Sequence, residues 1–252
     1  MKRMRLTAWW PPIVAAVLFL ILWQVSTVLF DIPKWMLPSP LEIANEAYIS
    51  LPRIWMHTAA TIRMTILGFI AGATAGITLA FLLHFFPFIR ATFYPFLIMS
   101  QNIPIIALAP LLIIWFGLGL LPKMIMIVIV GFFPITLSTL NGFAQTDAGM
   151  YSYMQMSGAT KKQLFWKLEL PHAMPFLFSG LKISATYSVM AAFIAEWLGG
   201  NTGIGAYMII AKSAFRTDRV FIGVFVIVCL SMALFACVVL LERWLTRWKR
   251  SK

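Results

Sequence analysis

The chain has 252 residues, of which 61% are hydrophobic and only 11% are charged. This composition excludes an ordinary soluble domain, which needs far more polar surface to stay in solution. The net charge of +12 does not indicate nucleic-acid binding, because the basic residues lie in clusters between long apolar stretches rather than on one polar face. We therefore expect a protein that folds in a lipid bilayer.

Six stretches are long and apolar enough to cross a membrane, which takes about 20 helical residues. The first stretch runs on without a cleavage site, which predicts an uncleaved span rather than a signal peptide. Pro95, Pro104 and Pro110 predict that the third span is bent. We predict an all-α, polytopic membrane protein with one domain, residues 1–252, and spans at about 12–30, 64–83, 93–117, 124–146, 173–197 and 220–241.

Lys and Arg indicate the orientation of these spans, because they concentrate in cytoplasmic segments. Basic clusters at 2–5, 161–167 and 243–252 fall on one side of the predicted spans, which places both termini in the cytoplasm. Lys182 and Glu196 are the charged residues inside the predicted spans, both in the fifth, and Lys182 is close enough to the start of that span for the amine to reach the headgroups. Gly68, Gly72 and Gly76 recur every four residues and predict close packing against another helix.

The sequence lacks the motifs of nucleotide-binding and metal-binding sites. It has no GxxxxGK[ST] loop for nucleotide phosphates, and its three histidines, His57, His84 and His172, have no metal-ligand spacing. We therefore expect no enzyme activity, metal or cofactor in this chain, so that another subunit or an ion gradient supplies any driving force. The scarcity of ionisable residues in the spans counts against a proton-coupled transporter.

The segment 147–172 between the fourth and fifth spans has too much pattern for a plain linker. It predicts two short helices interrupted at Gly158, with Leu164, Phe165 and Leu168 as a docking face in basic surroundings.

Gly158, followed after nine intervening residues by Leu168 and then by Leu170-Pro171, resembles the cytoplasmic loop of binding-protein-dependent ABC permeases, written EAA-x3-G-x9-I-x-LP. The resemblance implies a type I ABC importer permease architecture, in which this loop is a coupling helix that docks on an ATPase subunit. In place of the family's Glu-Ala-Ala, the chain has Ser152-Tyr153-Met154, so it lacks the charge contact of that Glu. The resemblance assigns ATPase coupling to Gly158, Ala159, Thr160, Leu168, Leu170 and Pro171.

Three further segments resemble the nitrate, sulfonate and taurine branch of this family: Leu37–Pro40, Pro104–Leu111 and Ala195–Gly199. The third, Ala-Glu-Trp-Leu-Gly, is most similar to permeases for thiamine-pyrimidine precursors. The branch implies import of a hydroxymethylpyrimidine-type solute, with an aliphatic sulfonate, taurine or nitrate as the alternative. It also implies the partners: ATP-binding subunits that hold ATP and Mg, an extracytoplasmic solute-binding protein, and a second permease copy in the bacterial cytoplasmic membrane.

Four polar or aromatic residues in or beside the third and fifth spans are candidates for the solute path: Gln101, Asn102, Trp115 and Glu196. Each has a structural alternative, since Glu196 can cap the outer loop and Trp115 can anchor at the membrane interface. Two other classes stay open: a secondary transporter or channel, which needs intramembrane charges or an internal repeat, and a membrane scaffold.

Overall fold

The computed structural model describes residues 10–246, so the basic clusters at 2–5 and 247–252 lie outside the described residues. Every regular element between residues 10 and 246 is helical. Eleven α-helices and one π-helical turn follow one another in this order: α1 (Trp10–Leu29), α2 (Pro40–Ile49), α3 (Leu51–Phe85), α4 (Pro87–Ser100), α5 (Ile105–Phe116), α6 (Leu120–Ala144), α7 (Ala148–Met156), α8 (Lys161–Leu164), the π-helical turn (Phe165–Glu169), α9 (Leu170–Gly199), α10 (Ile204–Ser213) and α11 (Thr217–Leu245).

The number of membrane spans agrees with the sequence. Five helical stretches between residues 10 and 246 are long and apolar enough to cross a bilayer, and α4 and α5 make a sixth span if they are counted together. The prediction of an all-α membrane protein with about six spans is thereby confirmed. Helices α2 and α10 lie at one end of the long helices, and α7 and α8 follow at the other.

The second span differs from its predicted bounds, because α3 begins at Leu51 rather than near residue 64. Pro52 lies in the first turn, where its missing N–H costs nothing. Arg53 and Arg63 lie exposed on the first half of this helix, where their long side chains can reach water. Much of the segment between the first two predicted spans, residues 31–63, is therefore helical.

The third span is broken rather than merely bent. Helices α4 and α5 meet at an angle of 102°, and the chain between them, residues 101–104, is not helical. Pro104 explains the break, because its ring disfavours helical geometry in the preceding residue. Pro95 and Pro110, by contrast, lie inside α4 and α5. The predicted span 93–117 thus becomes two helices that begin at Pro87, while the other four predicted spans differ from α1, α6, α9 and α11 by a few residues at their ends.

Helices α3, α6 and α9 form the centre of the fold. A Cβ atom added to Gly76 of α3 would lie 2.8 Å from the Phe132 carbonyl oxygen of α6, and one on Gly180 of α9 would lie 2.7 Å from that of Pro134. The Thr136 hydroxyl also donates a hydrogen bond across the α3–α6 contact to the Gly76 carbonyl (3.1 Å). Such contacts leave no room for a larger residue, so the three helices make one tightly packed core. The predicted close packing of the α3 glycines is confirmed.

Lys182, which was predicted to reach the headgroups, forms an ion pair inside the protein. Its ammonium lies 3.0 Å from the Glu242 carboxylate on α11, and both side chains are about one-quarter exposed. The pair joins α9 to α11 and neutralises a charge that would be costly in an apolar setting.

A second group of ion pairs ties α2 to the corner between α10 and α11. Arg216 and Arg219 both contact the Glu46 carboxylate at 2.8 Å. Partial burial would raise the pKa of Glu46, but hydrogen bonds from Ser50 and Arg219 and the charge of Arg216 outweigh it and lower the pKa. Helix α2 itself begins with Pro40 at its first position, and Ser39 before it forms a capping box with Glu42.

Candidate functional site

A cavity of about 790 Å³ opens between the broken span and the facing sides of α6 and α9. Most of its wall is apolar, which suits a binding cavity of a small molecule. Its polar lining consists of six side chains: Ser100, Gln101, Asn102, Ser138, Asn141 and Tyr187. None of the residues that line it is Lys, Arg, His, Asp or Glu.

The amide and phenol side chains of this lining have groups that are free to bind a solute. Asn102 uses its amide N–H to donate to the Ile98 carbonyl (2.9 Å), which leaves its side-chain oxygen available. The side chains of Gln101 and Asn141 and the hydroxyl of Tyr187 have no hydrogen-bond partner within residues 10–246, and all three residues are exposed. The cavity therefore offers uncharged donors and acceptors together with two aromatic rings, of Phe133 and Tyr187.

The break between α4 and α5 lies directly on this cavity, since Gln101, Asn102 and Ile103 line it. Irregular backbone in a membrane protein is tolerated where it lines a cavity or is buried in protein. Discontinuous helices also mark the solute sites of many transporters. The broken backbone and the free amides thus both indicate this cavity as the solute-binding position.

The structure separates the four predicted solute-path residues. Gln101 and Asn102 line the cavity, but Trp115 lies exposed near the end of α5 and does not. Glu196 is also absent from the lining, because it is only 2% exposed within the protein. Asn141 and Tyr187 were missed, although a polar side chain in an apolar stretch is the same signal that selected Gln101.

Glu196 instead holds the start of α10. Its carboxylate accepts hydrogen bonds from the Thr61 hydroxyl (2.9 Å) and the Gly205 backbone N–H (3.0 Å). Thr61 in turn accepts from the Ile204 N–H (2.9 Å). Helix α10 has no capping side chain of its own, since Gly203 precedes it at φ +102°, so Glu196 and Thr61 satisfy its first N–H groups. This contact agrees with the structural alternative for Glu196, a cap on the loop.

The segment 147–172 contains two short helices separated at Gly158. Gly158 has φ +83°, and the N–H groups of Gly158 and Ala159 donate to the carbonyls of Gln155 and Met154, which is the glycine-terminated end of a helix. Thr160 then begins α8, where its side chain and that of Gln163 form a capping box. The sequence Gly158-Ala159-Thr160 is thus a stop signal followed directly by a start signal.

Leu168, Leu170 and Pro171 lie where α8 passes into α9. The backbone widens here into the π-helical turn, in which the Leu170 N–H donates to the Phe165 carbonyl. Pro171 has no N–H and its ring crowds the preceding turn, and a widened turn relieves such strain. All three residues are half-buried.

The predicted docking face on this segment needs a correction. Leu164 and Phe165 are only 3% and 8% exposed, because both side chains point into the protein. The large apolar side chains that the segment leaves exposed are those of Met150, Tyr153, Met156 and Trp166. The spacing of the apolar residues identified a buried helix face, and the chain's own α3 and α6 cover it.

One polar contact of this segment had no signal in the sequence. His84 near the end of α3 donates from Nε2 to the Glu169 carboxylate (3.0 Å) across a sequence separation of 85 residues. No group of His, Cys, Asp and Glu that could hold a metal ion occurs between residues 10 and 246.

Comparisons with known proteins agree with this arrangement. Residues 64–251 match the family model described as "Binding-protein-dependent transport system inner membrane component". The formylaminopyrimidine transport permease protein ThiX of Halalkalibacterium halodurans is 31% identical over 242 residues, which cover 96% of each chain. The putative aliphatic sulfonates transport permease protein SsuC of Bacillus subtilis is 28% identical over 246 residues, covering 96% of this chain and 89% of the relative.

A solved structure has the same fold. It is described as an amino acid ABC transporter with histidines, and its matched chain superposes with a TM-score of 0.66 at 15% identity. The match covers 79% of this chain and 96% of the other.

Proposed function

The chain belongs to the binding-protein-dependent transport system inner membrane components, and we propose that it forms the solute pathway of an ATP-driven importer for a neutral pyrimidine-type solute. It is a multi-pass membrane permease subunit of an ABC transporter. Its resemblance to ThiX supports a hydroxymethylpyrimidine-type thiamine precursor, and its resemblance to SsuC supports a sulfonate.

The uncharged cavity lining favours the pyrimidine over the sulfonate. An anion that leaves water must be paired with a cation or with many donors, or its desolvation is costly. The lining residues include no Lys, Arg or His, whereas Gln101, Asn141 and Tyr187 can pair with ring nitrogens and exocyclic amino groups. An apolar wall with Phe133 and Tyr187 suits a flat aromatic ring.

The energy comes from partner subunits in this proposal. Two ATPase subunits, which bind ATP and Mg, dock on the segment 147–172 of two permease copies. A solute-binding protein delivers the pyrimidine at the end of the bundle where α2 and α10 lie. Closure of the ATPases rocks the bundle between outward and inward openings, with the chain in the bacterial cytoplasmic membrane and both termini in the cytoplasm.

Uptake by the assembled transporter tests the solute class. We expect labelled hydroxymethylpyrimidine to accumulate in an ATP-dependent manner, and taurine, methanesulfonate and nitrate in excess to leave that uptake unchanged. Inhibition by a sulfonate together with uptake of that sulfonate would favour the alternative importer. Accumulation without any ATPase subunit would favour a secondary transporter or channel.

Replacing Asn141 by alanine should raise the KM for pyrimidine uptake about twofold to twelvefold, because a lost hydrogen bond between uncharged groups costs about 0.5–1.5 kcal/mol. Gln101→Ala should act in the same direction. Asn201→Ala is the matched control, since Asn201 is exposed in the loop before α10 and does not line the cavity. An unchanged KM in both cavity variants would exclude these amides from the solute path.

Charge reversal at Lys161 and Lys162 tests the docking surface. Both side chains are exposed on α8, so Lys161→Glu with Lys162→Glu should leave the permease folded. We expect less ATPase subunit to co-purify, because complementary charges position a partner and fix its register. Lys212→Glu, a matched change at the opposite end of the bundle, should not alter co-purification. Equal co-purification in all three proteins would remove the lysines from the docking surface.

A further inference from the structure

The π-helical turn that follows α8 is anchored to two neighbouring helices. Its first residue, Phe165, is buried among aromatic rings from α3 and α6: ring centroids lie 4.8 Å away at Phe85, 5.9 Å at Phe143 and 6.0 Å at Phe81. Aromatic pairs at these distances add stabilisation beyond the area they bury. The ring of Phe165 therefore fastens the turn to both helices.

The last residue of the turn, Glu169, makes the second contact with a neighbouring helix. The Glu169 carboxylate accepts the hydrogen bond from Nε2 of His84, and both side chains are 17% exposed. The ring of His84 is itself stacked on Phe143, with centroids 4.1 Å apart. Stacking fixes the orientation of the imidazole, so its donor is aimed at the carboxylate.

These contacts matter because only one core helix is continuous with the coupling segment. Residues 161–199 form one helical stretch, so a movement of α8 passes directly along α9. Helices α3 and α6 are not part of that stretch, and they contact it here through side chains of the turn. Further along the same helices, at Gly76 and Gly180, α3, α6 and α9 pack directly against one another.

We propose that the Phe165–Glu169 turn, held by His84 and the surrounding rings, is the joint through which the coupling segment moves α3 and α6 together with α9. The joint rests on the proposed function, because it transmits the movement of a docked ATPase. A movement through this joint would reach the solute cavity, because α6 and α9 form one wall of the cavity and the α4–α5 break forms the other. Moving the core as one body changes the opening between those walls.

Three substitutions separate the hydrogen bond from packing. His84→Phe keeps a ring to stack on Phe143 but removes the donor, and Glu169→Met keeps the bulk but removes the acceptor. Both should reduce the amount of solute imported per ATP hydrolysed about fivefold or more, since couplings between sites usually span about 5–150-fold. Glu169→Gln keeps an acceptor and should retain most of the coupling. The double variant should be no worse than either single variant, because both remove the same interaction.

His57→Phe is the matched control, because His57 lies on the same helix as His84 but near its other end, its ring packs on Tyr207 (5.5 Å between centroids), and its Nδ1 has no hydrogen-bond partner within residues 10–246. The assay is solute uptake and ATP hydrolysis measured together on the complete transporter in liposomes, normalised to the amount of assembled complex. Normal coupling in His84→Phe and Glu169→Met would overturn the joint, as would an equal loss in Glu169→Gln and Glu169→Met. A wild-type protein without ATP-dependent uptake would instead overturn the proposed function, so the two failures are distinguishable.

Discussion

Replacing Glu196 by methionine is expected to lower the stability of the folded permease by about 2–4 kcal/mol. The change keeps the side-chain bulk but leaves the Gly205 N–H without its acceptor, and it removes the Thr61 hydrogen bond, although that hydroxyl can still donate to the His57 carbonyl (3.2 Å). A buried donor left unpaired costs about 1–3 kcal/mol, and a lost hydrogen bond about 0.5–1.5 kcal/mol. The measurement is the thermal unfolding midpoint of purified permease in detergent, which should fall clearly below that of the wild type.

Two variants show whether the acceptor is the cause. Glu196→Gln keeps a side-chain oxygen and should lose less stability than Glu196→Met. Glu42→Gln changes a carboxylate on α2 that is partly exposed and paired with Lys34, so it should have little effect. If Glu196→Met unfolded at the wild-type temperature, the Glu196 contacts would not hold α10 in place.

The second large effect is expected from Gly158→Leu, which should abolish solute uptake while the protein still inserts into the membrane. Gly158 has φ +83°, a conformation that costs other L-residues about 1–2 kcal/mol. No atom lies within 4 Å of a Cβ added there, so the effect comes from the backbone and not from a clash. The strained turn should shift α8 relative to α7 and misplace the ATPase docking surface. Uptake and ATP hydrolysis by the reconstituted transporter measure the loss.

Gly158→Asn is the control for this change. Asn adopts left-handed backbone more readily than Leu and also ends helices at this position. It should therefore retain most of the uptake that Leu abolishes. Full uptake by Gly158→Leu would contradict the role of this turn in coupling.

The sequence was enough to predict the class of the fold, because long apolar stretches have few structures available in a bilayer. It could not predict where α3 begins, since Arg53 and Arg63 have the composition of a loop but lie on an exposed helix face. It also could not distinguish a kinked span from the broken pair of α4 and α5. Three prolines fall in that region, and only the one at Pro104 lies at the break.

The candidate site was predictable only where a signal was local. Gln101 and Asn102 are polar residues beside an apolar stretch, and the structure brings both to the cavity. The role of Glu196 depends on Thr61, 135 residues away, and that of Glu169 on His84, 85 residues away. Tertiary contacts of this kind leave no periodicity in the sequence. The same is true of Leu164 and Phe165, whose pattern shows an apolar face but not which partner covers it.

In the proposed transport cycle, a separate ATPase drives solute through this chain by way of the segment 147–172. Liposomes that contain the permease with its ATPase, and the solute-binding protein outside, test it when loaded with MgATP. We predict accumulation of labelled hydroxymethylpyrimidine against its gradient, and none from liposomes that contain the permease alone. Equal accumulation in the two preparations, or in the first without ATP, would contradict the account.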